Sequence, residues 1–117
     1  MSGAEQEMRD AIELAIYREI GARNFYRAVS ERIGNPGGKE RFAQLSRDEE
    51  GHRAKLASWF RKLVGKDFTA DQGRVAQSEI KNFDVNEQAG ALEALDIAIQ
   101  AEDQAREFYA EQAGRTD

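Results

Sequence analysis

The sequence predicts an all-α bundle, and three observations carry that expectation. Apolar residues recur at alternating three- and four-residue steps along three separate stretches. The chain has one proline in 117 residues and no long run of β-branched residues, so helix is favoured over sheet. A helical pattern also occurs twice. Ala11–Tyr26 reads AIELAIYREIGARNFY and Ala94–Tyr109 reads ALDIAIQAEDQAREFY, identical at eight positions with a constant offset of 83. Each copy holds one acid, Glu19 and Glu102, among small and apolar residues.

The first helix is expected over about 4–33. Ser2 and Glu5 have capping-box spacing at its start. Its bundle-facing stripe is Met8, Ile12, Ala15, Glu19, Ala22, Tyr26, Val29 and Ile33, with Glu19 the one acid. The string Gly34-Asn35-Pro36-Gly37-Gly38 supplies stop and turn chemistry. A second helix over about 39–64 follows as the return arm of an antiparallel hairpin. Its stripe is Phe42, Leu45, Glu49, His52, Leu56, Trp59 and Leu63. Residues 65–85 break the periodicity, with a short helix around 71–81, and read as a long crossover along the bundle. Asp84 and Glu87 then offer capping-box spacing for a third helix over about 86–113, whose stripe runs Ala91, Leu95, Ala98, Glu102, Ala105 and Tyr109. The whole of 1–117 is one domain on this reading.

The acids in these stripes carry the chemistry. Glu49 and His52 are three apart, so they share one helix face and both side chains can reach one ion. His52 is the only histidine in the chain. Carboxylates buried in a helical bundle without compensation cost several kcal/mol each, on the order of the whole stability of a small domain. A metal ion relieves that cost, and oxygen plus imidazole donors suit iron or manganese. Alanines at 15, 22, 98 and 105 leave room beside Glu19 and Glu102. Glu50, Asp48 and Asp103 fall off the stripes and read as solvated surface charge, while Phe25 and Phe108 read as packing residues. Gly21 and Gly51 lie inside helices, which points to close approach of another element or to space near the ligands.

With helix-borne Glu, Glu-x-x-His after a short turn, and a repeated Glu, the chain resembles the rubrerythrin/ferritin-like superfamily of non-haem di-iron proteins. The resemblance spans Ala11–Tyr109. It implies a ferritin-like bundle with metal ligands Glu19, Glu49, His52 and Glu102, Glu49 bridging two metals and His52 holding one of them. It further implies tyrosines near those carboxylates at Tyr26 and Tyr109, each seven residues past its Glu. The implied cofactor is di-iron, or manganese. The implied activity is oxidation of Fe(II) or reduction of dioxygen or peroxide, in iron handling or oxidant defence. Two departures stand out. Many peroxide-reducing members carry a further Glu where this chain has Ala105, and a cysteine-ligated rubredoxin domain where this chain has no cysteine. The offset of 83 would also place the counterparts of Glu49 and His52 past Asp117. The expectation is therefore a three-helix unit whose fourth helix lies in a longer chain or comes from a partner, with self-association as a dimer or larger oligomer.

Composition narrows the remaining classes. A formal charge of −5 without a Lys/Arg-rich stripe argues against a nucleic-acid partner. The absence of cysteine excludes disulfides, thiol nucleophiles and iron–sulfur centres within the chain. No apolar run resembles a signal peptide or a membrane span, so a cytoplasmic protein without a membrane partner is expected. The competing reading is a non-enzymatic helical assembly module with a partial metal site.

Overall fold

A computed structural model describes residues 2–78, 99, 103 and 106–111. Among these the regular structure is entirely helical, as expected. Helices α1 (Gly3–Arg32) and α2 (Pro36–Val64) form a long hairpin, and the short α3 (Gln72–Ser78) packs against α1. Residues 106–111 are helical, within the span expected for the third long helix. The remainder of that helix, with Glu102 and the Asp84/Glu87 cap, lies outside the described residues.

Local sequence sets where each helix begins and ends. Ser2 and Glu5 exchange side-chain-to-backbone hydrogen bonds in a full capping box at the start of α1. The turn is tighter than the sequence reading placed it. Ile33, in extended conformation, ends α1 rather than a glycine, and Asn35 already caps α2 by accepting from the Gly38 N–H. Pro36 stands at the start of α2, where its missing N–H costs nothing, so the helix begins three residues before Lys39. Lys39 instead reaches back, its Nζ donating to the Ser30 and Glu31 carbonyls in the last turn of α1. At the other end of α2, Gly65 takes a left-handed φ of 86°, and its N–H donates to the Arg61 carbonyl.

Two apolar clusters hold the hairpin together, one toward each end. Near the turn, Phe25, Tyr26 and Val29 of α1 and Ile33, the residue that ends it, meet Phe42. At the open end, Ile12, Ile16, Tyr17 and Ile20 meet Phe60, with Phe68 stacked edge-on against both Tyr17 and Phe60. Each such side chain contributes roughly 1.5–3 kcal/mol when fully buried. The stripe is broader than the 3–4 spacing outlined. Met8 and Trp59, both placed on it, are 38% and 47% exposed, whereas Phe60, Ile16 and Ile20, outside it, are buried. A long helix in a bundle buries a face wider than a single row, and on α2 Phe60 rather than Trp59 packs into the apolar cluster.

Polar contacts set the register between the clusters. Ser46 Oγ donates to the Arg23 carbonyl across the helix pair at 3.0 Å. Glu50 is not the solvated surface charge expected of it. Its carboxylate takes hydrogen bonds from Arg53 on its own helix and from Arg23 of α1 at 2.6 Å, tying the two helices at mid-length. The bond from Arg53, with that from Arg23 behind it, outweighs partial burial and holds the Glu50 carboxyl at about 2. Further along, Tyr17 accepts from the Asp71 N–H at 2.9 Å and anchors the start of α3. The end of α3 comes so close to α1 that a Cβ at Gly21 would overlap the Ser78 carbonyl oxygen, which accounts for that glycine. Gly51 meets no such neighbour.

Two measurements check this account. In thermal melts, Gly51→Ala should gain about 1 kcal/mol, the usual helix-interior difference. Gly21→Ala should lose stability instead, because its methyl displaces α3. The Glu50 carboxyl is depressed from 4.5 to about 2, so its contribution is complete above pH 4.5 and is lost as pH falls toward 2. Glu50→Gln should therefore destabilise at pH 7 by no more than about 1 kcal/mol, its side chain being 43% exposed. In denaturant melts that difference should close between pH 4.5 and pH 2.

Candidate metal centre

Glu19 sits near the middle of α1, and Glu49 and His52 near the middle of α2, in the interval between the two apolar clusters. The antiparallel pairing brings them level. Each residue offers one donor atom, and the three donors lie within 4.8 Å of one another. Nδ1 of His52 stands 3.6 Å from Glu19 Oε2 and 3.7 Å from Glu49 Oε2. Those separations are too long for hydrogen bonds. They are close to the roughly 3.0–3.5 Å between donors that share one ion at about 2.0–2.2 Å.

The electrostatics of the group are unbalanced by protein alone. Both carboxylates are buried, whereas the His52 side chain is 61% exposed. Glu19 divides its two oxygens between different environments. Oε1 accepts a short hydrogen bond from the Tyr109 hydroxyl. Oε2 is buried with no hydrogen-bond partner among the described residues and faces His52. A buried acceptor left unmade costs about 1–3 kcal/mol, more when charged. A cation between Glu19, Glu49 and His52 satisfies that oxygen, so the donor set fits a divalent metal.

Tyr109 connects the 106–111 segment to this group. Partial burial, then the hydrogen bond to Glu19 and the negative charges of Glu19 and Glu49, push its phenol well above the usual tyrosine range; Arg18 opposes them. The hydroxyl therefore stays a donor at every physiological pH. Arg18 lies beside it, its guanidinium 4.7 Å above the Phe108 ring. Tyr26 is 1% exposed in the turn-end cluster, its ring against Phe25 and Phe42. Glu102 lies outside the described residues.

The sequence reading did not single out Arg18, nor the arginines that flank the group on the α2 side. Arg41, Arg47 and Arg106 line a cleft of about 610 Å³ whose wall includes Glu49 and His52. Their exposed positions off the apolar stripes gave no periodic signal. Only the approach of residues 106–111 to α2 makes them neighbours.

No described helix is long and apolar enough to cross a membrane. Comparison with curated proteins and with solved structures gives no significant match. The family model for rubrerythrin, in contrast, matches residues 10–117, nearly the whole chain. With an all-α architecture, paired long helices and a Glu–Glu–His group at their centre, this chain belongs to the rubrerythrin family and has its ferritin-like helical fold.

Proposed function

We propose that the chain is a non-haem di-iron or di-manganese carboxylate protein that oxidises Fe(II), with dioxygen or peroxide as electron acceptor. The observation that carries this reading is the unpartnered, buried Glu19 Oε2 aimed at His52 and Glu49. Glu19, Glu49 and His52 are its metal ligands, and Glu102, the repeat partner of Glu19, is the fourth. The metal pair supplies the redox chemistry when bound.

The protein's own residues do the positioning. Tyr109 fixes one oxygen of Glu19 and leaves the other for the metal. Glu50, held by Arg23 and Arg53, keeps α1 and α2 in the register that brings Glu19 level with Glu49. The apolar clusters on either side exclude water from the carboxylates, while the exposed edge of His52 leaves a route for small molecules. Tyr26, buried against Phe42 and seven residues past Glu19, stands with Tyr109 as the second tyrosine supporting the carboxylates. The reading includes self-association, supported by the large apolar side chains Leu14, Trp59 and Ile99 that stand in water.

Anaerobic Fe(II) titration followed by exposure to air tests the proposal. Saturable binding and a ferric absorbance are expected, and Glu49→Ala with His52→Ala should abolish both. Failure of the native protein to bind would leave the assembly-module reading in its place. Tyr109→Phe removes a hydroxyl but no ligand. It should weaken metal binding by about tenfold or more, as loss of a hydrogen bond to a ligand commonly does, with the melting temperature little changed.

A further inference from the structure

The cleft between α2 and the 106–111 segment has a charge that does not suit a cation entrance. Its wall carries three guanidinium groups, Arg41, Arg47 and Arg106, against the carboxylates of Asp48 and Glu49. Arginine stays charged at any working pH, so these groups repel a bare metal ion approaching Glu49 and His52 from this side. With Arg47 taken by Glu40, Arg41 and Arg106 are the cations left at the mouth.

The arginines are not consumed by internal pairing to the same degree. Arg47 is engaged by Glu40 at 3.0 Å and by Gln44 at 2.8 Å. Arg106 has only a contact of 3.6 Å with Asp103, and its side chain is 80% exposed. Arg41 is exposed and makes no hydrogen bond or ion pair among the described residues. Two guanidinium forks therefore face the cleft with donor capacity to spare. At about 610 Å³ the space is of the size that holds small ligands rather than a single ion. Gly51 adds no side chain to its floor.

We propose that this cleft binds a small multivalent oxyanion, phosphate or a polycarboxylate, through Arg41 and Arg106. Planar guanidinium groups pair with such oxygens bidentately, and two of them on facing elements form a clamp. The anion would sit next to His52, either as a free co-ligand or as the carrier in whose complex the metal arrives. That role rests on the metal reading of Glu19, Glu49 and His52; the binding itself does not.

Calorimetric titration of the metal-free protein at low ionic strength, with inorganic phosphate and separately with citrate, tests it. At least one anion should bind with a Kd of about 1 mM or tighter. Arg41→Gln with Arg106→Gln should weaken that binding by about tenfold or more. Arg61→Gln with Lys62→Gln, equally exposed at the far end of α2, should leave it unchanged. Glu19→Gln, outside the cleft wall, should retain it, so loss of metal binding and loss of anion binding are read apart. Phosphate alone binding identifies a free oxyanion, and citrate alone a polycarboxylate carrier. Binding of neither, or equal weakening in the Arg61/Lys62 pair, overturns the proposal.

Discussion

Everything in this molecule is arranged around a carboxylate that has no business in an apolar interface. Glu19 lies buried in the middle of α1, with Glu49 buried opposite it on α2. Two such groups side by side repel each other and lose their hydration, a combination that costs several kcal/mol without compensation. The hairpin tolerates them because the apolar clusters at either end supply the burial that the centre lacks. Phe25, Val29 and Phe42 close one end, and Ile16, Tyr17 and Phe60 the other. The hydrophobic term is therefore displaced to the ends, and the middle is kept for polar chemistry.

Adjacent acids on α2 illustrate how the helix sorts charge. Glu49 and Glu50 are one residue apart, so they point about 100° from each other around the axis. Glu49 enters the interface, whereas Glu50 meets Arg23 and Arg53. Arg23 is one turn beyond Glu19 on α1, within reach of that carboxylate by sequence spacing alone. Its engagement with Glu50 leaves Glu19 without a guanidinium ion pair among the described residues. The same bond that locks the helix register thus preserves a charge imbalance that a metal ion would offset. Tyr109 then satisfies one Glu19 oxygen as a neutral donor and adds no positive charge of its own.

Much of this was legible in the chain. The interrupted stripes located Glu19, Glu49 and His52 on two facing helices, because a 3.6-residue period fixes which side chains share a face. The capping box at Ser2 and the left-handed cap at Gly65 follow equally local rules. What failed to show were choices between near neighbours. Trp59 and Phe60 are both large and aromatic, and the stripe passes close to each, so only packing against Tyr17 and Phe68 selected Phe60. The turn misled for a related reason. Gly37 and Gly38 resemble a stop, yet Asn35 and Pro36 together start a helix that carries them along.

The sequence by itself determined the helical class, the mid-helix acids and the Glu49-x-x-His52 pair, since each depends on spacing within one helix. Tertiary structure decided the rest. Whether Glu50 stays in water or clamps two helices depends on where Arg23 arrives from α1. The need for glycine at position 21 appears only when α3 folds back onto α1. The gathering of Arg41, Arg47 and Arg106 around one cleft, and the division of the Glu19 oxygens between Tyr109 and His52, require elements far apart in the chain to meet. Periodicity specifies the face a residue occupies. It does not specify which partner that face will find.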